Sequence, residues 1–447
     1  MSLFLKQYYS KCHNSVGAMH ISNLISTTEL LKKLKDQKSK IIDIRPIEAY
    51  NGWKLFNEKR GGHIITAKSL PFKWSNYIDW IEIIETKGIL NEHELIIYGY
   101  NIAECEDVEL KFHDLGYKNT KLYDHFVDEW SANESLPMER LAKYNHLVSA
   151  EWVHELIETG KAPEYANAKY VICHAHYRNQ QDYELGHIPW SLSLDTNSLE
   201  SPETWNRRAP AELKKVLEEL GITSDTTVIL YGRFSFPNND DPFPGSSAGH
   251  LGAMRCAFIM LYAGVKDVKI LNGGLQSWED AGYNITKEIF KPVPVKEFGA
   301  TIPAHPEYAV DLPEAKEILK SDQANLVCVR SWPEYIGEVS GYNYIVKKGR
   351  IPGAVFGNCG SDAYHMENYR NLDHTMREYH EIVKLWAEVG ITPDKHNAFY
   401  CGTGWRGSEA FMNGWLMGWP KVSVFDGGWF EWSNDESNPI ETGDPTK

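Results

Sequence analysis

The chain repeats itself three times, and the repeat fixes the unit from which any fold must be built. Each copy runs through a capped amphipathic helix, an apolar strand, a Gly-x-Ile turn, a second apolar strand, a helix and a segment ending in tryptophan. The leading helices are expected near Thr27, Ser149 and Asp311, side chains able to take up the free N–H groups of a first turn. The strands that follow read KIIDIR (40–45), YVICHA (170–175) and LVCVRS (326–331), short β-branched runs of the kind buried in parallel sheets. Turns come next at Gly62-His63-Ile64, Gly186-His187-Ile188-Pro189 and Gly349-Arg350-Ile351-Pro352-Gly353. The second strands run into LIIYGY (95–100), VILYGR (228–233) and AFYCGT (398–403), and the copies close on Trp130, Trp278 and Trp432.

Strand alternating with helix predicts an α/β fold of three tandem domains, each a parallel sheet with helices on both faces. The expected layout is a tail over 1–22 and domains at 23–140, 145–290 and 300–447, with linkers at 135–147 and in the Pro-rich 286–306. With 42% hydrophobic and 24% charged residues, each domain has the composition of a globular core rather than of a disordered segment. The net charge of −15 repels phosphate backbones and anionic membrane surfaces, so no nucleic acid or membrane partner is expected. The same charge means that any anion site needs concentrated local positive potential. No apolar run approaches the ~18 residues of a membrane span, and Ala257–Ala263 reads as part of a core helix. The N-terminus, MSLFLKQYYSKCHNSVG, lacks the charged-then-apolar layout of a signal peptide.

Sheets of this kind bind ligands beyond the carboxyl ends of their strands. Cysteine stands at that place once, in Cys401-Gly402-Thr403-Gly404-Trp405-Arg406-Gly407, ahead of an apolar-periodic helix expected from about Ser408 to Met417. The glycines let successive N–H groups turn inward as an anion nest backed by a helix N-terminus, and Arg406 adds a permanent cation. Such surroundings favour a thiolate, so Cys401 is expected to be a nucleophile rather than a packing thiol. The seven cysteines (12, 105, 173, 256, 328, 359, 401) include no C-x-x-C pair, which points to neither a disulfide framework nor a zinc site. Cys173 and Cys328 lie in apolar strands and Cys256 on an apolar helix face, while Cys12, Cys105 and Cys359 lack a nest. The 17 histidines show no ligand spacing, and no metal or cofactor is expected.

On these residues the chain resembles the tandem-domain rhodaneses. GRIPGAVF (349–356), the CGTGWR loop and VSVFDGGWFEW (422–432) match three family motifs in order, with Arg350 where histidine is more usual and Cys328 where aspartate is common. The resemblance implies three rhodanese-like domains of which the third is catalytic, because Gly99 and Gly232 occupy the nucleophile position in the others. It implies a two-step transfer: Cys401 takes the outer sulfur of a small anionic donor such as thiosulfate as a persulfide, then passes it to a thiophilic acceptor such as cyanide or a thiol. Gly402, Thr403, Gly404, Trp405, Arg406 and Gly407 would bind the donor, with Arg406 facing its anionic group. Arg330 would be a second substrate-binding arginine, against the competing use of pairing with Glu334. The family also implies that the second domain walls the cleft over Cys401. Relatives acting on mercaptopyruvate carry C-G-[ST]-G-V-T; the loop here shares the first four of those residues, which makes 3-mercaptopyruvate the alternative donor.

Three other readings fit the sequence less well. Cys-Arg phosphatase loops are C-x5-R, a larger ring than the C-x4-R found here. Gly245-Ser246-Ser247-Ala248-Gly249 matches G-x-S-x-G, but a polar, Pro-rich stretch from Gly232 to Pro244 separates it from its strand, against the needs of a nucleophile elbow. A non-catalytic docking protein would account for two repeats without a cysteine at the nucleophile position but gives no reason for an intact CGTGWR loop.

Overall fold

The computed structural model describes residues 23–236 and 249–447; the tail with Cys12, and Gly245 to Ala248 of the G-x-S-x-G match, lie outside the described residues. The chain divides into two compact units, the first ending at Asn145 and the second running from His146 to Lys447.

The first unit holds a four-stranded parallel sheet in the spatial order Lys68–Ser69, Ser39–Asp43, Glu94–Tyr98, Thr120–Tyr123. The second unit holds two five-stranded parallel sheets of one plan. One is ordered Leu147–Val148, Asp267–Leu271, Thr227–Tyr231, Tyr170–His176, Ser191–Asp195; the other Ala309–Val310, Val422–Phe425, His396–Tyr400, Ala324–Cys328, Val355–Phe356. Register equates the repeats residue by residue: Asp43 lies opposite Tyr98, His174 opposite Tyr231 and Cys328 opposite Tyr400. Parallel pairing needs a crossover after every strand, and the helices that the sequence places between strands supply it.

The recurring residues recur for a reason. Trp130, Trp278 and Trp432 are all buried, and each indole N–H donates to a carbonyl just downstream, of Pro137, Asn284 and Pro439. The Gly-x-Ile histidines lie flat on a tyrosine: His63 on Tyr50 and His187 on Tyr183, both with centroids 3.6 Å apart. Arg350 replaces that imidazole with a guanidinium plane 5.0 Å from the Tyr335 ring, so the exchange keeps the stack. Arg350 is therefore buried, unlike the half-exposed Lys347 and exposed Lys348 before it.

The caps hold in part. Ser149 accepts from Trp152 N–H as expected, but Ser26, one residue before Thr27, forms the first capping box with Glu29. Asp311 makes no side-chain cap; its carboxylate is taken by both terminal nitrogens of Arg207, at 2.8 and 3.0 Å. A paired guanidinium outcompetes backbone N–H groups that water can also serve. Within the second unit, helix Gly249–Ala263 is buried throughout and packs on helix Trp405–Leu416, with Phe258 edge-on to Phe411 at 5.2 Å. No helix among the described residues is long and apolar enough to cross a membrane.

Candidate active site

His396–Tyr400 is the middle strand of its sheet, flanked by Ala324–Cys328 and Val422–Phe425, so its end delivers Cys401 to the centre of the carboxyl edge. Gly404 then turns the chain back with φ 96°, and its N–H points at Cys401 Sγ across 3.2 Å. The following helix begins at Trp405 rather than near Ser408, because the Gly404 carbonyl already accepts both the amide and the hydroxyl of Ser408, each at 2.8 Å. Arg406 and Gly407 thus belong to the first helical turn, and the nest is Cys401 to Gly404. From the other side, Gly428 (φ 54°) sets the Trp429 amide on the Cys401 carbonyl at 2.8 Å and the Phe430 amide on that of Gly402 at 2.9 Å. A Cβ on Gly428 would come 2.7 Å from the Cys401 carbonyl oxygen, which is why only glycine serves there. Cys401 itself is 1% exposed.

Arg406 does not stand free toward the opening. Its two terminal nitrogens donate to the two oxygens of Glu334 at 2.9 and 2.8 Å, and further to the Asp362 carbonyl (3.0 Å) and the Tyr342 hydroxyl (2.6 Å). Burial works against both charges, but the fork-to-fork pairing prevails: Glu334 titrates below the usual carboxylate range and Arg406 well above its own. Glu334 also accepts the Ser331 amide (2.9 Å) and hydroxyl (2.7 Å) at the start of helix Trp332–Tyr335. The pairing of Glu334 with Arg330, read from their spacing, is therefore not the one formed.

Arg330 makes the contacts of a framing residue. Its Nη2 donates to the Gly349 carbonyl at 2.7 Å, its Nε lies 3.2 Å from Cys328 Sγ, and its guanidinium covers the Trp429 ring at 4.8 Å. In the first repeat Arg45 donates to the Gly62 carbonyl at 2.8 Å, with Asp43 in the place of Cys328. In the second, Arg233 donates to the Gly186 carbonyl at 3.0 Å. A guanidinium meets the corresponding glycine carbonyl in all three repeats, from the first strand's end at Arg45 and Arg330 and from the second strand's end at Arg233, which favours a framing role for Arg330.

Aromatic residues wall the thiol, and the sequence pattern had singled out none of them but Trp405. Tyr342 lies so close to Gly402 that a Cβ there would fall 2.3 Å from its ring. Tyr344 hydrogen-bonds Thr403 through its hydroxyl, and burial pushes both phenols up. The second domain adds Trp205, stacked on Tyr344 at 4.6 Å and edge-on to Phe430 at 5.2 Å, and Tyr177, edge-on to Trp405 at 5.5 Å. Its Glu200 accepts the Trp405 indole N–H at 2.9 Å. Trp205 holds φ 59°, a left-handed backbone that bulky side chains rarely adopt and that clusters at functional sites.

The other thiols are of a different kind: burial pushes Cys105, Cys256 and Cys359 up, and Cys173 up to about 12. Among the described residues His125, Asp128 and Glu129 could geometrically hold a metal, but this surface group belongs to the first unit and Cys401 to the second. The nucleophile positions of the first two repeats are closed. A Cβ on Gly232 would fall 2.2 Å from the Gly249 carbonyl oxygen, and one on Gly99 2.8 Å from the Ile44 side chain. In a Cys401→Ser background, Gly232→Cys should accordingly carry no sulfur by intact mass after donor treatment and should lower the melting temperature, since overpacking costs roughly 1–3 kcal/mol or more. A loaded, fully stable variant would show that these sites are not sterically shut.

Comparison with known proteins bears on the same region. The Rhodanese-like domain matches residues 26–133, 149–281 and 311–435. Thiosulfate sulfurtransferase YnjE of Escherichia coli (strain K12) is 37% identical over 418 residues, covering 93% of this chain and 91% of that protein. Sulfur carrier protein TtuD of Thermus thermophilus is 30% identical over 67% of this chain and 97% of its own length. Among solved structures, the anaerobic ergothioneine biosynthesis enzyme from Chlorobium limicola in complex with its natural substrate trimethyl histidine superposes with a TM-score of 0.92 at 60% identity, covering 95% of this chain and 100% of that one. EanB carrying a cysteine persulfide, in a tetrahedral intermediate state with ergothioneine, matches at TM-score 0.92 and 60% identity over 94% of this chain and 100% of its own.

Proposed function

The chain belongs to the rhodanese family of sulfurtransferases, and from that premise we propose that Cys401 carries sulfane sulfur as a persulfide and delivers it to the imidazole ring of a trimethylated histidine, forming ergothioneine. The observation that carries this acceptor is the state of Arg406. Its terminal nitrogens are held by Glu334, so the cation expected to face a thiosulfate sulfonate is already neutralised. Around the loop that carries the thiol stands a chain of touching aromatic rings, Tyr342, Tyr344, Trp205 and Phe430. Aromatic faces attract quaternary ammonium groups, by about 0.5–2 kcal/mol depending on exposure, and stack on imidazole. The 60% identity with an enzyme bound to trimethyl histidine supports the same acceptor.

The chemistry balances without an added oxidant or reductant. A thiosulfate donor loads the site as the Cys401 thiolate attacks its outer sulfur, the S–S bond to the sulfonate breaks and sulfite leaves with the electron pair. In discharge, the imidazole C2 bonds to the terminal sulfur, the Cys401 S–S bond breaks to regenerate the thiolate, and the C2 proton passes to the transferred sulfur or a ring nitrogen. The Gly404 N–H steadies charge on Cys401 sulfur in both directions. Tyr342, kept protonated by burial and hydrogen-bonded to Arg406, is the group we assign to move that proton. Arg330 keeps its framing role.

The test separates donor from acceptor. The chain is loaded with thiosulfate, mercaptopyruvate or inorganic polysulfide in separate reactions, freed of donor and mixed with trimethylhistidine. The expected result is loss of one sulfur mass from the chain and stoichiometric appearance of ergothioneine. Discharge to cyanide but not to trimethylhistidine would instead make thiosulfate:cyanide transfer the function, and failure of every donor to load the chain would favour a docking protein.

A further inference from the structure

The second domain has glycine, not cysteine, at its nucleophile position, yet it presses a cation against the loop of the third. Arg255, on helix Gly249–Ala263, is fully buried. Its Nε donates to Glu200 at 3.0 Å, and its Nη2 to the Trp205 carbonyl and to Asp426, each at 2.6 Å. Among the described residues Nη1 has no hydrogen-bond partner, and it lies 2.9 Å from where a Cβ on Gly404 would stand. Gly404 is the residue whose N–H meets the Cys401 sulfur. A buried N–H without an acceptor is costly and rare, and here it is held against the one loop on which charge changes during the reaction.

The two carboxylates that clamp Arg255 grip the same loop from either side. Glu200 accepts the indole N–H of Trp405, the residue after Gly404. Asp426 precedes the Gly427-Gly428 turn that brings the Trp429 amide to the Cys401 carbonyl, and it is fixed in turn by the Arg207 amide and guanidinium, both at 2.8 Å. Among the described residues, the other charged or titratable groups around the loop include Arg406 with Glu334, Tyr342, Tyr344 on Thr403, Tyr177 edge-on to Trp405, and the buried Cys359 near Arg406.

We propose that Arg255 is a positioning residue for sulfur transfer: clamped by Glu200 and Asp426, it keeps the Gly404 N–H aimed at the Cys401 sulfur and turns its unpartnered Nη1 toward that loop from the domain whose own nucleophile position is glycine. The proposal rests on Cys401 being the sulfur carrier. Arg255→Met and Arg255→Lys are compared with the native chain for sulfur loading by intact mass, for discharge rate, for melting temperature, and for the pH profile of Cys401 alkylation followed on its own peptide. In Arg255→Met the alkylation midpoint should move to higher pH and discharge should slow roughly tenfold or more. Arg255→Lys retains a charge but cannot span both carboxylates and Gly404, so its midpoint should move less while discharge still falls; it decides the matter if the methionine variant does not fold. Folded variants with native midpoints and native discharge rates overturn the proposal, as does a fall in melting temperature alone. A native chain that never loads sulfur would overturn the role of Cys401 instead.

Discussion

Replacing Cys401 by serine is expected to abolish sulfur loading and to lower transfer by at least about 10⁴-fold, the scale seen when a nucleophile is removed from an otherwise intact site. The fold should tolerate the change. The side chain is 1% exposed, its sulfur accepts a single N–H from Gly404, and a hydroxyl of similar shape can accept the same bond. Melting temperature should move by no more than a few degrees, whereas intact mass after thiosulfate, mercaptopyruvate or polysulfide treatment should show no added sulfur. A serine variant that still gained sulfur would place the carrier elsewhere in the chain. The buried Cys105, Cys173, Cys256 and Cys359 are poor candidates, since burial holds each as a neutral thiol.

The second large effect is expected at Glu334. Glu334→Gln keeps the shape of the side chain but leaves Arg406 buried without its counter-charge, and breaking a buried pair from one side costs about 3–5 kcal/mol. Transfer should fall as well, because the same guanidinium holds the Tyr342 hydroxyl. The pH dependence gives an independent reading. Glu334 is depressed below its ordinary 4.5 in the folded chain, so its contribution to stability is present above that value and is lost as pH falls through the lower folded value. Native chain should therefore lose melting temperature more steeply on acidification below about 4.5 than Glu334→Gln does. Equal slopes would mean that the pair contributes nothing to folding.

What could be read from the sequence was local. Trp130, Trp278 and Trp432 mark the ends of repeats because each indole serves a carbonyl six or seven residues away, a short-range need that leaves a periodic trace. Cys401 could be placed at a strand end because apolar burial before it and glycine after it are visible in one short stretch. The partner of Arg406 could not. Arg330 and Glu334 share a helix-like spacing, whereas Arg406 and Glu334 lie 72 positions apart and meet only because neighbouring strands bring their following segments together. The helix start was misplaced for a related reason: Arg406 looks like a loop residue until the left-handed Gly404 begins the first turn at Trp405. Tyr342 and Tyr344 occupy a stretch with neither helical nor strand periodicity, and Trp205 and Glu200 come from a repeat whose own nucleophile position is glycine. Packing between repeats, rather than any motif, puts them at the thiol.

Tandem copies usually begin as interchangeable parts, each able to be lost, duplicated or moved. Here Glu200 and Arg255 of one copy close around Trp405, Gly404 and Asp426 of the next, so nucleophile and setting are now encoded about 150 to 200 residues apart. Neither copy is a spare of the other. Recombination that transplanted the Cys401-bearing copy alone would leave behind the Glu200 and Arg255 contacts to its loop, so with Cys401 as the proposed carrier the two copies are expected to be inherited together.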